Sequence, residues 1–139
     1  MTANEHQRAS GLPRAEARAL LAVALGVTRE QVTANPGVAV PPRAAAAYGA
    51  LVRRRALGEP LAYLIGSQEF YGRPFAVTPD VLIPRPDTET LIEVALDCVR
   101  DKTGARVLEL GTGSGCIAVT LKLERPDLEV LATDVSAAA

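Results

Sequence analysis

The sequence predicts an α/β protein in which an N-terminal helical bundle and a β-hairpin linker precede the start of a doubly wound parallel sheet. Two patterns support this prediction: apolar residues recur at helical spacing within residues 1–57, and residues 105–134 read as strand, glycine-rich turn, helix and strand. We expect a helical domain at 1–57, a hairpin linker at 58–80 and the N-terminal part of a sheet domain at 81–139. Hydrophobic residues make up 48% of the chain, which is sufficient for a core and excludes global disorder.

Three helices are predicted in the first region. Residues 13–25 place Ala, Leu and Val on one face and charged residues on the other, which indicates an amphipathic helix. Thr28 can cap a second short helix that ends before the turn signal Asn35-Pro36-Gly37. A third helix is expected from residue 43 to about residue 57, because its run of alanines has a high helix propensity.

The linker has a different composition. Residues 61–66 and 69–72 are rich in β-forming residues and are bounded by glycines, and residues 73–77 follow at hairpin distance. We therefore expect extended structure in this region, including residues 61–66. Four of the five aromatic residues lie between positions 63 and 75, where we expect them to pack in a core rather than to contact a ligand.

A stiff segment, Pro84-Arg85-Pro86, precedes the next predicted helix. Each proline fixes its own φ and restricts the residue before it. Asp87 or Thr88 can then cap a helix that runs to about residue 99, with Glu89 in its first turn. The apolar residues expected to form its buried stripe are Leu91, Ile92, Ala95, Leu96 and Val99.

The remaining reactive residues do not form a metal site or a disulfide framework. Cys98 and Cys116 lie in apolar helical patterns and are expected to be buried free thiols in a reducing compartment. The lone histidine, His6, lies in a polar stretch and is expected to be free of partners. The balance of 15 basic and 16 acidic residues gives no indication of nucleic-acid binding. The longest apolar run, residues 19–27, is too short to span a membrane, and we expect a soluble, cytoplasmic protein.

The strongest functional signal is the turn Gly111-Thr112-Gly113-Ser114-Gly115. It joins a predicted strand at 106–110 to a helix that ends near residue 124, and a second strand follows at 128–133. Glycines allow the backbone to turn sharply and to approach a ligand closely. The N-terminus of the following helix presents free N–H groups, and ligands of parallel sheets bind at the carboxyl ends of the strands.

Two acidic residues accompany this loop. Asp134 follows the second strand and can accept hydrogen bonds from both hydroxyls of a ribose, while Glu109 stands two residues before the loop. The dinucleotide pattern needs a third glycine where Cys116 stands, and the phosphate-loop pattern needs a lysine that the loop lacks. The spacing therefore indicates a cationic adenosine ligand without phosphate. The candidate binding residues are Glu109, Gly111, Thr112, Gly113, Ser114, Gly115 and Asp134.

These residues resemble those of a known family. Residues 109–115 are similar to the first motif of class I S-adenosylmethionine-dependent methyltransferases, which have a Rossmann-like sheet. Residues 54–63, 69–72 and 82–89 resemble corresponding strings of the release factor glutamine methyltransferases, the PrmC/HemK proteins. The string Ile-Pro-Arg-Pro-Asp-Thr-Glu within residues 82–89 is much more specific than the glycine loop.

The resemblance implies transfer of a methyl group from S-adenosylmethionine to the side-chain amide N5 of the glutamine in the Gly-Gly-Gln motif of peptide chain release factors. It implies that the helical domain helps to hold the release factor, and that the catalytic work is positioning and electrostatics. By position, the loop at 111–115 would line the methionine part of the cofactor and Asp134 the ribose. Arg85 and Thr88 would lie near the methionine end.

The family also has an Asn-Pro-Pro-Tyr loop that grips the glutamine amide, and this motif is absent from the 139 residues. We therefore assign no catalytic residue, and we expect a truncated fragment with weak or no cofactor binding. A methyltransferase of an RNA or DNA base nitrogen and a non-catalytic docking fragment for release factors remain alternatives. Neutral overall charge disfavours nucleic-acid substrates, since we expect Arg53-Arg54-Arg55 to be a solvated helix end. Cys116 in place of a third glycine disfavours a nicotinamide oxidoreductase.

Overall fold

A computed structural model describes all residues from 1 to 139, and the chain separates into two units, Met1–Ile65 and Gly66–Ala139. The first unit is helical and the second contains two small sheets, so the predicted α/β class is confirmed. The finer division at residues 57 and 80 stays a prediction. The helices of the first unit are α1 (Ala3–Ala9), α2 (Arg14–Leu25), α3 (Arg29–Ala34), α4 (Pro42–Ala56) and α5 (Leu61–Ile65).

Two helices of the first unit begin with a capping box. At α3, Thr28 Oγ1 accepts the Gln31 N–H at 3.2 Å and Gln31 Oε1 accepts the Thr28 N–H at 2.8 Å, which confirms the predicted cap. At α1, Thr2 and Glu5 make the same reciprocal pair of bonds. α1 is an addition to the predicted helices, and its signal in the sequence is this Thr-x-x-Glu spacing.

The core of the first unit is formed where α1, α2, α3, α4 and α5 converge, with Leu20 and Leu21 fully buried at its centre. α1 also carries His6 against Tyr48 of α4, with ring centroids 5.9 Å apart in an edge-to-face arrangement. The expectation that His6 is free of partners is therefore wrong. The reason is that a capping box stabilises α1, and this helix places His6 in contact with Tyr48.

The prediction of extended structure at residues 61–66 is also wrong, because Leu61–Ile65 forms the helix α5. The carbonyl of Pro60 accepts the N–H groups of Tyr63 at 3.1 Å and Leu64 at 3.3 Å, which closes the first turn. Ala62 and Leu64 are buried, and Leu64 joins the core of the first unit. Burial against neighbouring helices outweighs the β propensity of these residues.

Two of the three arginines in the basic run at the end of α4 form ion pairs. Arg55 binds Glu16 of α2 through two hydrogen bonds of 2.6 and 3.2 Å, and Arg54 binds both carboxylate oxygens of Glu59. The hydrogen bond from Arg55 lowers the pKa of Glu16. The expectation of a solvated helix end holds for Arg53 and Arg54, which are exposed, whereas Arg55 is half-buried because it pairs with Glu16, 39 positions away in the sequence.

The second unit contains an antiparallel hairpin and a parallel pair of strands, as predicted. In the parallel pair, Val107 lies beside Val130 and Leu110 beside Thr133. Its elements are β1 (Ser67–Phe70), β2 (Arg73–Ala76), a 3-10 helix (Pro86–Thr88), α6 (Glu89–Cys98), β3 (Arg106–Leu110), α7 (Cys116–Glu124) and β4 (Glu129–Thr133).

The core of the second unit joins the hairpin to the two helices. Phe70 and Phe75 meet edge to face with centroids 6.1 Å apart, and they pack with Ile92, Leu121 and Leu128. These two aromatic side chains therefore pack in the core as expected. No helix of the chain combines the length and the apolar composition that crossing a membrane requires.

The predicted buried stripe of α6 is too wide. Ile92 is fully buried and Leu96 packs against the core, whereas the side chain of Leu91 is 51% exposed. Cys98 is exposed as well, so the expectation that both cysteines are buried holds only for Cys116. A helix that packs on one side of a small unit covers a limited arc of its surface, and both exposed residues lie outside that arc.

One face of the parallel pair is uncovered. Leu108 and Leu110 of β3 and Leu131 of β4 are all exposed. Large apolar side chains in a contiguous exposed patch mark a surface that packs against something else or promotes association. The two strands thus form a sheet with one covered face and one bare face.

Leu20→Ala is expected to lower the free energy of unfolding of the first unit by about 2–5 kcal/mol, because the side chain is 0% exposed and its removal leaves a cavity. The matched control Leu57→Ala, at a position 89% exposed, is expected to change it by less than about 0.5 kcal/mol. Urea titration followed by circular dichroism measures both. Equal effects of the two substitutions would contradict the described core.

Candidate functional site

The glycine loop turns at the carboxyl end of β3 and is attached there to β4. The N–H groups of Gly111 and Thr112 donate to the carbonyl of Thr133 at 2.8 and 3.0 Å. The N–H of Gly115 donates to the carbonyl of Thr112 at 2.9 Å, which closes the turn before α7 begins. Backbone bonds therefore hold the loop at the edge of the sheet where the ligands of parallel sheets bind.

Position 113 requires a glycine because of its backbone conformation, and not because a side chain would lack room there. Its φ is +53°, in the left-handed region that L side chains rarely adopt. A Cβ added at this position would meet the Cβ of Val81 at 3.9 Å, which is an ordinary contact. Gly115, the residue before α7, has a φ of +75°. The alternation of glycines thus reflects a turn that only residues without a side chain form readily.

The half-buried carboxylate of Glu109 connects the loop to the start of α7. Its Oε2 atom accepts the hydroxyl of Thr112 at 2.8 Å and the N–H of Ala118, in the first turn of α7, at 3.1 Å. The carboxylate thereby satisfies one of the free N–H groups at the helix N-terminus, where negative charge is favourable. Its other oxygen, Oε1, takes part in neither bond. Contact of Glu109 with a ligand stays a prediction.

Asp134, which follows β4, also binds the loop. Its Oδ2 accepts the N–H of Gly113 at 2.9 Å and its Oδ1 accepts the N–H of Ser136 at 2.9 Å. The bonds from Ser136 and then Gly113 lower the pKa of this carboxyl below its usual value, so it is ionised at neutral pH. A carboxylate oxygen accepts more than one hydrogen bond, so the exposed Asp134 can still bind hydroxyl groups. Contact with a ribose stays a prediction.

The short polar residues of the loop have different partners. The Thr112 side chain is bound to Glu109, whereas the Ser114 side chain lies beside the buried thiol of Cys116. Burial raises the pKa of the Cys116 thiol, so this cysteine is neutral. The backbone N–H of Ser114 takes no part in the bonds that close the loop.

Arg85 and Thr88 lie in the segment that leads into α6. The carbonyl of Arg85 accepts the N–H of Thr88 at 3.0 Å, Arg85 is exposed and Thr88 is half-buried. The start of the same segment, Val81, lies next to Gly113. The structure therefore places one end of the segment at the loop, while a shared ligand for Arg85, Thr88 and the loop stays a prediction.

One contact near the site has no signal in the sequence. Glu89, in the first turn of α6, accepts the backbone N–H of Tyr71 at 2.8 Å. These residues are eighteen positions apart, and a bond to a backbone N–H leaves no trace in residue spacing. Only the structure reveals that the tip of the hairpin and the start of α6 are joined.

A wide apolar groove of the second unit lies away from the glycine loop. It is a groove of about 850 Å³ between the strands β3 and β4 and the helix α7, and Leu108, Leu123 and Leu131 contribute to its lining. None of the residues 111–115 and 134 line it. We assign the candidate site to the loop rather than to this groove, because the groove lacks the loop and its polar groups.

Comparison with known proteins identifies relatives of the whole chain. Residues 3–66 match the family described as PrmC N-terminal domain. The release factor glutamine methyltransferase of Bordetella pertussis is 54% identical over 129 residues, which are 93% of this chain and 48% of the relative. The enzyme of the same name from Burkholderia pseudomallei is 51% identical over 138 residues, 99% of this chain and 48% of the relative.

A solved structure is also similar in sequence. The protein-(glutamine-N5) methyltransferase (release factor-specific) from Alicyclobacillus acidocaldarius is 52% identical, with a TM-score of 0.35 over 45% of this chain and 39% of that chain. This chain spans about half the length of the curated relatives it matches. The predicted resemblance to the N-terminal portion of the release factor glutamine methyltransferases is confirmed.

Gly113→Ala is expected to destabilise the second unit by about 1–2 kcal/mol, because alanine is strained at a φ of +53°. Gly49→Ala is the matched control, since Gly49 lies inside α4 and an added Cβ would meet only Arg53 Nη1 at 3.6 Å. That substitution is expected to stabilise the first unit by about 0.5–1 kcal/mol. Chemical unfolding measures both, and effects of the same sign would be inconsistent with the described loop.

Asp134→Ala is expected to destabilise the second unit only where Asp134 is ionised. Since the folded state lowers the pKa of Asp134, the stability it contributes is present above its unfolded pKa of about 4 and is lost as the pH falls through the folded value. Wild type and variant are compared by urea unfolding between pH 7 and pH 2. A difference in unfolding free energy that persists unchanged at pH 2 would show that the carboxylate is not responsible.

Proposed function

We propose that this chain forms the N-terminal portion of an enzyme that methylates the glutamine side chain of the Gly-Gly-Gln motif in peptide chain release factors, at the amide N5. The observation that carries the proposal is an identity of 51% over 138 residues with a protein named release factor glutamine methyltransferase. Such an alignment includes both the glycine loop and the string Ile83-Pro84-Arg85-Pro86-Asp87-Thr88-Glu89.

The candidate site fits S-adenosylmethionine, the cofactor that we propose for it. The polar groups around the loop include two carboxylates, Glu109 and Asp134, and lack a lysine that would bind phosphate. This donor set suits a ligand with a cationic sulfonium and a ribose and no phosphate. We assign the ribose to Asp134 and the methionine part to residues 111–115. Ser114 offers a backbone N–H there, and Arg85 and Thr88 contribute from the adjoining segment.

When bound, S-adenosylmethionine supplies an electrophilic methyl group on its sulfonium. The nitrogen of a glutamine amide is a poor nucleophile, because its lone pair is delocalised into the carbonyl, so transfer depends on holding the two groups in line. We propose that the residues of this chain hold the cofactor, and therefore one of the two groups that must be brought in line. We assign no group that grips the amide to these 139 residues, and we propose that the first unit helps to hold the release factor.

Methylation of a base in RNA or DNA is the weaker alternative. A nucleic-acid substrate requires cations that are free to contact phosphate. Two of the three arginines in the basic run at the end of α4 are already paired, Arg54 with Glu59 and Arg55 with Glu16. This observation adds to the neutral charge of the chain in favouring a protein substrate.

Titration of the isotope-labelled chain with S-adenosylmethionine, followed by nuclear magnetic resonance, tests the cofactor assignment. We expect weak binding whose chemical-shift changes concentrate at residues 111–115 and at Asp134. Asp134→Ala is expected to weaken binding about tenfold, because the charge-assisted hydrogen bonds to the ribose are lost. Nicotinamide adenine dinucleotide is the control ligand and is expected to leave the loop unchanged. Shifts confined to other residues would refute the assignment.

Radiolabelled methyl transfer tests the substrate. The chain is joined to the second half of the Burkholderia pseudomallei relative, and release factor and ribosomal RNA are offered side by side. Label is expected in the release factor alone, and the 139-residue chain without the added half is expected to transfer none. Label in the RNA would favour the alternative function.

A further inference from the structure

Tyr71, at the tip of the hairpin, has an unusual backbone conformation. Its φ is +51°, and it is the one residue other than glycine with a positive φ. Gly72 follows with a φ of +70°, so the two residues form the kind of tight turn in which Asn-Gly or Gly-Gly is usual. A tyrosine at the first position costs conformational energy, and other interactions must hold it there.

Those interactions are made with α6. The N–H of Tyr71 donates to Glu89 Oε1 at 2.8 Å, and its phenol hydroxyl donates to Glu93 Oε1. Glu89 and Glu93 are four residues apart and therefore share one side of the helix. The ring also packs against the core of the second unit, and the bond to Glu93 raises the pKa of the phenol. We call these three residues the hairpin clamp.

The segment of residues 77–88 connects β2 to α6, and the hairpin clamp joins the elements at its two ends. Both ends of that segment are fixed, one by the hairpin and the other by Glu89, which directly follows Thr88. Between them the segment passes the glycine loop, where Val81 lies against Gly113. Pro84 and Pro86 limit the conformations that the segment adopts between these points.

We propose that Glu89 is a positioning residue for the cofactor site. By accepting the N–H of Tyr71, it holds residues 81–88 against the glycine loop, so that Arg85 and Thr88 face the bound methionine end. The role of Glu89 is indirect, since the hydrogen bond that its carboxylate accepts comes from the hairpin and not from the glycine loop. This inference rests on the proposed function, because it presupposes that Arg85 and Thr88 contact S-adenosylmethionine.

The test is a titration of the whole 139-residue chain with S-adenosylmethionine, followed by nuclear magnetic resonance. Glu89→Ala is expected to weaken binding about tenfold, because the charge-assisted bond to Tyr71 is lost. Glu89→Gln keeps an oxygen that can accept the Tyr71 N–H and is expected to bind within about threefold of wild type. Asp97→Ala, which removes an exposed carboxylate from the same helix, is the matched control and is expected to bind normally.

A double-mutant cycle separates positioning from general destabilisation. If Glu89 acts by placing Arg85, the effect of Glu89→Ala on affinity shrinks when Arg85→Ala is already present. The same effect in both backgrounds, or normal affinity of a folded Glu89→Ala chain, would overturn the inference. If Glu89→Ala fails to fold, Glu89→Asp takes its place, since it keeps the charge but shortens the side chain by one methylene.

Amide hydrogen exchange provides a readout that does not need the cofactor. Glu89→Ala is expected to accelerate exchange at Thr88 and Gly113 about tenfold, while amides of the first unit stay unchanged. Unchanged exchange at Thr88 and Gly113 would also overturn the inference. Failure of the wild-type chain to bind S-adenosylmethionine, with the expected exchange pattern intact, would instead count against the proposed function.

Discussion

The carboxylate of Glu109 joins the three parts of the candidate site. It belongs to β3, it accepts the hydroxyl of Thr112 in the glycine loop, and it accepts the N–H of Ala118 in the first turn of α7. The loop cannot move away from α7 without losing a half-buried, charge-assisted bond. Asp134 adds a second attachment from the end of β4, through the N–H of Gly113. The shape of the site therefore depends on two acidic residues that bind the protein itself.

The parts of the fold with strong local signals could be predicted from the sequence. The parallel pair β3 and β4, with its glycine loop and α7, follows from apolar runs that flank a turn, and the cap at Thr28 follows from its spacing to Gln31. The positions of Glu109 and Asp134 beside the loop also follow from the sequence. Local chemistry determines these features, so residue spacing is sufficient to locate them.

Features that depend on distant partners could not be predicted. Residues 61–65 are helical because Ala62 and Leu64 are buried, and only the packed bundle determines this. Leu91 is exposed because the second unit covers a narrow arc of α6. In the site, the partners of Glu89 and Asp134 are backbone N–H groups, which every residue except proline carries. Spacing does not reveal which of these groups a carboxylate binds.

The different environments of the two cysteines give the chain a built-in chemical selectivity. The thiol of Cys98 is exposed at the last residue of α6, whereas burial raises the pKa of the Cys116 thiol and shields it from reagents. The reactive species is the thiolate, so an alkylating probe modifies Cys98 first in the unaltered sequence. A fluorophore or spin label can thus be placed on the helix that begins at Glu89, and it would report movements of α6 without any substitution.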